Sequence, residues 1–478
     1  MNDLNVLFQP VEQYCHREVI TCSPDDPVAD AAAVMQKRRI SSLVVCRDGV
    51  PVGMVTDRDL RDKVVAQGLD IRNLTIGKIM NTPLITILKD EFLFEALHRI
   101  SRYGIHRLVV TDGADALVGI ITESDILRIQ DSRPQSLILN IEEAIDVKTL
   151  NEIHQRIQGL VVHLVGSGVR IQGLVRMIAH LNDQILIRLV DLLLDEQFSD
   201  LRGRFAFMVL GSEGRSEQTL KTDQDNALVY VDDLTPSELQ RMETFSQTLI
   251  GEVIAIGIPA CPGGIMANNP QWRHSLSEWR AILNDWFSIP TPDNILRTSM
   301  MVDMRALHGN RTLEKGLREH IVGCLMGNKL FLGHMTANML RFGVPLGWFG
   351  RIKTEKGKHK GQLDLKKAGI FVLTEGVKIL SLSQGGEKTG TADRIEQLVV
   401  RKLLNRQEAD DLTAAFYALV SFRLRSQVEA LREGRTPDNR IAVELLNRME
   451  KGRLHVALEG VRSFQGLLKR RYPFAQGM

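Results

Sequence analysis

The sequence predicts a multidomain α+β protein, and three observations support this prediction. First, 478 residues are too many for one hydrophobic core, so two to four domains are expected. Second, a pattern within the first 132 residues occurs twice. Third, the middle of the chain has continuous apolar runs typical of buried strands, whereas the last third has the three- and four-residue apolar spacing of helices.

The composition is that of a globular protein, with 44% hydrophobic and 25% charged residues. A net charge of +2 gives no general signature of nucleic-acid binding. The five cysteines include no CxxC pair, which indicates neither a disulfide framework nor a zinc knuckle. The sequence shows no signal peptide and no apolar run of the roughly 20 residues that a membrane helix needs, so we expect a cytoplasmic protein without membrane contact.

The internal repeat defines the first predicted domain. The segment "SSLVVCRDGVPVGMVTDRDL" (41–60) is echoed by "HRLVVTDGADALVGIITESDIL" (106–127), and Thr56 and Asp59 recur 66 residues later as Thr122 and Asp125. Each copy predicts a helix, a strand, a tight Asp-Gly turn, a second strand and a second helix. Because each unit is small, we expect the two copies to pack together.

In both copies a strand ends at threonine, and aspartate follows three residues later in the next helix. The threonine could cap the helix and donate to a phosphate, and the aspartate could accept from a ribose hydroxyl. The alternative is that the threonine is only a cap and the aspartate only complements the helix dipole.

The duplicated pattern resembles a cystathionine beta-synthase (CBS) domain pair over residues 12–131. The resemblance implies a regulatory sensor of AMP, ADP or ATP that forms a homodimer. It also implies four ligand contacts: Thr56, Asp59, Thr122 and Asp125.

Residues 133–200 predict a helical connector, after which the pattern changes. Phe205–Leu210 is a continuous apolar run that predicts a buried strand, and Gly211 and Gly214 bracket a turn. "RSEQTL" (215–220) then predicts a short helix, and a second strand is predicted from Asp223 through the apolar "ALVYV".

Asp223 and Asp225 lie at positions i and i+2 of this strand, which places two carboxylates on one face about 6 to 7 Å apart. Like charges at this distance repel, and a divalent cation relieves the repulsion. Gly211, Ser212 and Arg215 are suited to bind phosphate through a close backbone approach, a hydroxyl and a guanidinium. A solvated polar loop is the alternative, but the combined pattern favours phosphoryl or nucleotidyl transfer.

"GSEGRSEQTLKTDQDNALV" (211–229) resembles the nucleotidyltransferase core of the DNA polymerase beta superfamily, in particular proteins related to the N-terminal part of protein-PII uridylyltransferase. That superfamily requires a third carboxylate, and Asp303 in "RTSMMVDMRALHGN" (297–310) is the candidate. The resemblance implies that Asp223, Asp225 and Asp303 converge around Mg²⁺ or Mn²⁺ as catalytic metal ligands. It also implies a nucleoside triphosphate substrate and a protein or small-molecule acceptor.

The chain has no adjacent His-Asp pair, so the nucleotide-removing phosphohydrolase domain of the uridylyltransferases is expected to be absent. Any transfer by this chain would then run in one direction, and PII itself is only weakly indicated as the acceptor.

The complete prediction has four parts. Residues 1–132 form the tandem CBS module, 133–200 the helical connector, 201–330 the polymerase-beta-like nucleotidyltransferase α/β core, and 331–478 an all-helical domain resembling the substrate-binding domain of these proteins. The second hypothesis is an adenine-nucleotide-sensing signalling adaptor without turnover. RNA extension ranks last, because the chain shows no strong basic surface.

Overall fold

The computed structural model describes residues 7–71, 73–123, 125–126, 135–166, 169–220, 224–347 and 350–473. They form two compact units, residues 1–138 and 139–478. The division falls near the start of the predicted helical connector, whose remaining residues belong to the second unit. The predicted multidomain α+β architecture is confirmed.

The first unit contains two three-stranded sheets of the same topology, one for each copy of the repeat. In each sheet a parallel pair of strands is followed by an antiparallel pair. The strands are β1 (Thr21–Cys22), β2 (Ser42–Arg47), β3 (Val50–Thr56), β4 (Thr86–Leu88), β5 (Arg107–Thr111) and β6 (Leu117–Thr122). The α-helices are α1 (Val28–Arg38), α2 (Asp57–Asp59) and α3 (Leu93–Tyr103).

The two copies differ in the hairpin that joins their antiparallel strands. Asp48 and Gly49 both have positive φ, 51° and 82°, as a tight two-residue turn requires. In the second copy the Asp112 carboxylate accepts hydrogen bonds from the backbone N–H groups of Ala114 and Ala116 and closes a longer loop. The prediction of a tight Asp-Gly turn is therefore confirmed for the first copy and wrong for the second.

The second unit begins with helices and continues into a mixed four-stranded sheet with the strand order β10-β7-β8-β9. The helices are α4 (Gln135–Glu143), α5 (Val147–Gly166) and α6 (Ile171–Glu196). The strands are β7 (Phe205–Val209), β8 (Asn226–Tyr230), β9 (Arg273–Ser275) and β10 (Arg305–Gly309). β7 is antiparallel to both β8 and β10, and all five of its residues are buried.

Helices surround this sheet and make up most of the remaining chain. They are α7 (Gly211–Gly214), α8 (Pro236–Ile256), α9 (Leu276–Ser288), α10 (Pro292–Val302), α11 (Arg311–Leu325), α12 (Lys329–Leu340), α13 (Phe371–Leu382), α14 (Thr391–Val400), α15 (Arg406–Arg432) and α16 (Arg448–Arg471). A two-stranded antiparallel sheet, β11 (Gln362–Asp364) with β12 (Arg440–Ala442), interrupts the predicted all-helical region. Across the described part of the chain, no helix has the length and apolar character needed to cross a membrane.

A single hydrophobic core runs through the sheet and the C-terminal helices. It includes Ala206 and Met208 on β7, Leu380 on α13 and Leu458 on α16. The region predicted as a nucleotidyltransferase core and the region predicted as a helical domain are therefore packed as one body. This packing places residues of both regions around one cavity.

Candidate active site

The glycine-serine turn begins where β7 ends, and its first residue has to be glycine. Gly211 has φ +53°, and a Cβ atom there would lie 2.9 Å from Cε of Met300 and 3.0 Å from Oδ2 of Asp225. The Asp225 carboxylate thus lies close beside the turn and leaves no room for a side chain at this position. The short helix starts at Gly211 instead of Arg215, so the predicted position of this helix is wrong. It ends before Ser216, whose φ is +56°.

Asp225 directly precedes β8, and its backbone oxygen accepts a hydrogen bond from the N–H of Leu210 over 2.8 Å. This bond holds the start of β8 against the end of β7, next to the glycine-serine turn. Asp223, the first aspartate of the predicted pair, lies outside the described residues.

The Asp225 carboxylate and burial together affect the ionisation of two neighbouring groups. Burial, with a further contribution from the Asp225 carboxylate, raises the pKa of the Cys261 thiol to about 11. Burial and the same carboxylate also raise the pKa of Glu213 well above its ordinary value. A site with this electrostatic character favours a bound cation.

Arg215 is held between two carboxylates. Its Nε donates to Glu217 over 2.8 Å, and its Nη1 donates to Asp303 over 2.5 Å. Glu217 in turn accepts a hydrogen bond from the backbone N–H of Thr391, at the start of α14. The guanidinium is therefore fixed in orientation, and much of its charge is balanced within the protein.

Asp303 follows α10 and is fully buried, with a relative exposure of 0%. Its Oδ1 lies 2.7 Å from Nη1 of Arg394, and its Oδ2 lies 2.8 Å from Nζ of Lys378 and 2.5 Å from Nη1 of Arg215. Burial opposes ionisation, but Lys378, Arg394 and Arg215 together hold the pKa of this carboxyl far below its usual range.

The predicted role of Asp303 as a third metal ligand does not fit this arrangement. Cationic side chains engage both of its oxygens, and a metal ion would have to displace them. Within the described ranges, no three His, Cys, Asp or Glu side chains are grouped so as to hold a metal. The structure supports a different role for Asp303, that of a buried counter-ion linking the turn to α13 and α14. The metal role of Asp223 and Asp225 stays a prediction.

A cavity of about 530 Å³ opens in front of the turn. Gly211, Ser212, Arg215 and Asp225 all line it, so four of the predicted site residues share one cavity. Helices from the C-terminal region also line it, together with Lys366 and the segment 437–439. This volume suits one ligand of nucleotide size.

The sequence prediction missed the residues of α13 and α14 that hold Asp303. Lys378 has a relative exposure of 1% and donates to Ser299 and to Glu375, besides its contact with Asp303. One signal was present in the sequence. Glu375 and Lys378 lie in the otherwise apolar "FVLTEGVKIL" (371–380), where buried charges need partners.

In the first unit, both Thr-Asp pairs form capping boxes. Oδ2 of Asp59 accepts from the N–H of Thr56 over 2.9 Å and from its hydroxyl over 2.6 Å. The corresponding distances from Thr122 to Asp125 are 3.0 and 2.6 Å. These contacts are the ones expected if each Thr-Asp pair only caps its helix. The ligand role of the four residues stays a prediction.

Further polar neighbours of the two aspartates distinguish the copies. Asp59 also contacts Asn81 and Lys63, whereas Asp125 lies 3.4 Å from Nε2 of His16. Burial opposes ionisation of Asp59, but hydrogen bonds from Thr56, Lys63 and Asn81 lower its pKa.

Three protein-family models match most of the chain. The CBS domain model matches residues 11–66 and 76–132, and "Putative nucleotidyltransferase DUF294" matches residues 155–293. "Putative nucleotidyltransferase substrate binding domain" matches residues 329–472. The chain is a CBS-domain pair fused to a nucleotidyltransferase of this family. The predicted fusion is thereby confirmed, and the three matched regions follow one another along the chain.

Individual relatives cover only part of this CBS–nucleotidyltransferase fusion. The chain is 35% identical over 134 residues to "Uncharacterized protein MK0525" of Methanopyrus kandleri, covering 28% of this chain and 66% of the relative. It is 31% identical over 109 residues to the "CBS domain-containing protein YhcV" of Bacillus subtilis, covering 23% of this chain and 76% of the relative. It is also 31% identical over 113 residues to "Uncharacterized protein MJ1232" of Methanocaldococcus jannaschii, and this match covers 24% of this chain and 36% of the relative.

The solved structures that match this chain also cover only part of its length. An "uncharacterized conserved protein from Pyrococcus horikoshii" is 28% identical and has a TM-score of 0.25; the match covers 27% of this chain and 96% of that one. The CBS domain pair of protein MJ0100, solved with 5′-methylthioadenosine and S-adenosyl-L-methionine, is 30% identical and has a TM-score of 0.23. That match covers 25% of this chain and 94% of that chain.

Proposed function

We propose that this protein transfers a nucleoside monophosphate from a nucleoside triphosphate to a protein or small-molecule acceptor, in the manner of the protein-PII uridylyltransferases. The observation that carries the proposal is that Gly211 and Asp225 lie side by side and line the same cavity. A phosphate-binding turn and a metal-binding carboxylate have to be adjacent for this chemistry, because Asp225 would hold the metal ion beside the phosphates that the turn binds.

The residues present fit Mg²⁺ or Mn²⁺. Asp225, with Asp223 two residues before it, supplies the hard oxygen ligands that these ions prefer. Burial raises the pKa values of Glu213 and Cys261, and the Asp225 carboxylate adds to both shifts; a cation beside Asp225 would offset this negative charge. When bound, the metal would neutralise charge on the triphosphate and activate the attacking oxygen.

The chain's own residues position the substrate. Ser212 lies in the first turn of α7 and lines the cavity, where its hydroxyl would donate to a phosphate. A guanidinium has five N–H donors, so Arg215 can keep its bonds to Glu217 and Asp303 and still donate to the triphosphate. The fixed orientation of Arg215 reduces the conformational entropy that is lost when the substrate binds.

Regulation belongs to the same proposal. Adenine nucleotide bound at Thr56 and Asp59, or at Thr122 and Asp125, would control the transferase, and the CBS pair would form the homodimer contact. The second candidate function is a nucleotide-sensing adaptor without turnover. The observation that favours this candidate is that cationic side chains engage both oxygens of Asp303. The resembled superfamily uses three carboxylates as metal ligands, and Asp303 does not supply the third.

Pyrophosphate release separates the two candidates. The full chain is incubated with each nucleoside triphosphate, Mg²⁺ and a fractionated cell extract as the acceptor source. A transferase releases pyrophosphate in at least one reaction and stops when EDTA removes the metal. An adaptor binds adenine nucleotide by calorimetry and releases no pyrophosphate with any nucleotide or fraction.

A further inference from the structure

The two Thr-Asp pairs of the first unit are set in equivalent frameworks. In each copy, a residue outside the sheet pairs through its backbone with the second strand of the hairpin, two residues before the threonine. In the first copy this residue is Asn81, which pairs with Met54. In the second copy it is His16, which pairs with Ile120. The side chains of Asn81 and His16 both reach the aspartate of their copy, so they occupy equivalent places.

In the first copy, side chains of the protein itself occupy the Asp59 carboxylate. Nδ2 of Asn81 donates to both oxygens, over 2.9 and 2.8 Å, and Nζ of Lys63 lies 3.0 Å from Oδ1. Thr56 donates twice to Oδ2. A carboxylate has about four acceptor positions, so a ribose hydroxyl can bond to Asp59 only by displacing Asn81 or Lys63.

These two competing side chains are themselves held in place. Nζ of Lys63 also donates to the backbone oxygen of Ile79 and to Oδ1 of Asn81, each over 2.7 Å. The backbone N–H of Asn81 donates to the oxygen of Met54 over 2.8 Å. Hydrogen bonds that involve a charged group are stronger than neutral ones, so displacing this pair opposes ligand binding.

The second copy lacks this competition. Oδ2 of Asp125 accepts from Thr122, but among the described residues Oδ1 contacts only Nε2 of His16, over 3.4 Å. The repeat offset of 66 residues places Ile129 at the position of Lys63, and an isoleucine side chain forms no ion pair. Ile129 itself lies outside the described residues. One oxygen of Asp125 is therefore better placed than Asp59 to accept from a ribose hydroxyl.

We propose that the two sites bind adenine nucleotide with different affinities, tightly in the second copy and weakly in the first, because Asn81 and Lys63 compete with the ligand for Asp59. The inference rests on the proposed regulatory role of the CBS pair and adds an order of occupation to it. The site of Thr122 and Asp125 fills first as the nucleotide concentration rises. The site of Thr56 and Asp59 fills only at concentrations high enough to displace the amide and the ammonium group.

Titration of the full chain with AMP by calorimetry tests this order. EDTA is present, because the proposed transferase site takes a triphosphate together with a metal ion. We expect two phases whose dissociation constants differ at least about tenfold. Asp125→Ala should abolish the tight phase and keep the weak one, whereas Asp59→Ala should abolish the weak phase and keep the tight one.

Two further variants remove the competing side chains and leave Asp59 in place. Asn81→Ala and Lys63→Met should each strengthen the weak phase at least about threefold. The tight phase should stay unchanged in both, which also shows that the unit is folded. Lys37→Met removes the same charge from an exposed position of α1 and is the control. It should change neither phase.

The outcomes separate this inference from the proposed regulation. Two sites of equal affinity, or a tight phase that Asp59→Ala abolishes, would overturn the order of occupation and leave the nucleotide sensor standing. The order is also overturned if neither Asn81→Ala nor Lys63→Met strengthens binding at the first copy. A single phase that Asp125→Ala abolishes supports the order, provided that these two variants bring a second phase into range. If AMP does not bind to the wild-type protein, the sensor proposal fails together with this inference.

Discussion

Nη1 of Arg215 donates a 2.5 Å hydrogen bond to Oδ2 of Asp303, which lies 88 residues further along the chain. The same carboxylate contacts Lys378 and Arg394 in the region that matches the substrate-binding family model. The guanidinium at the proposed triphosphate site is thus held in place by helices of the substrate-binding region. This region therefore helps to hold Arg215 in place and also lines the cavity.

Asp303→Asn should destabilise the fold strongly. The substitution leaves Lys378, Arg394 and Arg215 without their shared buried anion, and breaking a buried ion pair in this way costs about 3–5 kcal/mol. Denaturant unfolding measures the loss. Asp200→Asn breaks an exposed pair with Arg241 and should cost about 1 kcal/mol or less. Equal effects of the two substitutions would contradict the counter-ion role.

The stability that Asp303 contributes should depend on pH with a defined sign. Its pKa is lowered on folding, so the contribution is fully present above the unfolded value of about 3.9 and is lost as the pH falls through the lower folded value. The stability difference between wild type and Asp303→Asn should therefore be constant above about pH 5 and should narrow in more acidic buffer. A difference that widens with acid would show that Asp303 is not stabilised as an anion.

Gly214→Ala should disrupt the turn, because a Cβ atom at this position overlaps the backbone oxygen of Asp303. A backbone atom cannot move aside as a flexible side chain can, so we expect a loss of about 2 kcal/mol or more in the free energy of unfolding. Gly251→Ala lies in α8 with open space around it and should be neutral or stabilise the protein by up to about 1 kcal/mol. A tolerated Gly214→Ala would refute the close packing of turn and Asp303.

Cys261 reports on metal binding at Asp225 independently of activity. With a pKa of about 11, only about one thiol in a thousand is ionised at pH 8, so alkylation should be slow. Neutralising Asp225 with Mg²⁺, or by Asp225→Asn, should lower this pKa and speed alkylation about threefold, as followed by mass spectrometry. Cys22, whose pKa is also about 11, lies in the other compact unit and is the matched control. The same rate with and without Mg²⁺ would argue against the metal site.

Asp59→Ala and Asp125→Ala should each weaken adenine-nucleotide binding, which calorimetry with ADP measures. Each also removes one half of a capping box, at a stability cost of about 1 kcal/mol. Thr56→Ser keeps the capping hydroxyl and is expected to preserve both folding and binding. If both alanine variants bind ADP as the wild type does, the two aspartates are only structural caps.

The sequence predicted the local elements of the site well, because they depend on local patterns. The apolar run predicted β7 to within one residue, and the glycine-serine turn was recognised from residues close together in the chain. The family resemblance implied that Asp303 converges with Asp223 and Asp225 around a metal ion. It did not show where the Asp303 side chain points, because that depends on Lys378 and Arg394 in later helices.

The most direct test of the account is label transfer from nucleoside triphosphates labelled at the α-phosphate. Wild-type protein, Asp225→Ala and Asp233→Ala are incubated with the labelled nucleotides, Mg²⁺ and cell extract; Asp233 is an exposed aspartate paired with Arg204 and is the control. The account predicts a labelled acceptor with wild type and Asp233→Ala, and at least about a hundredfold less with Asp225→Ala. Label transfer that survives Asp225→Ala would contradict the proposed active site.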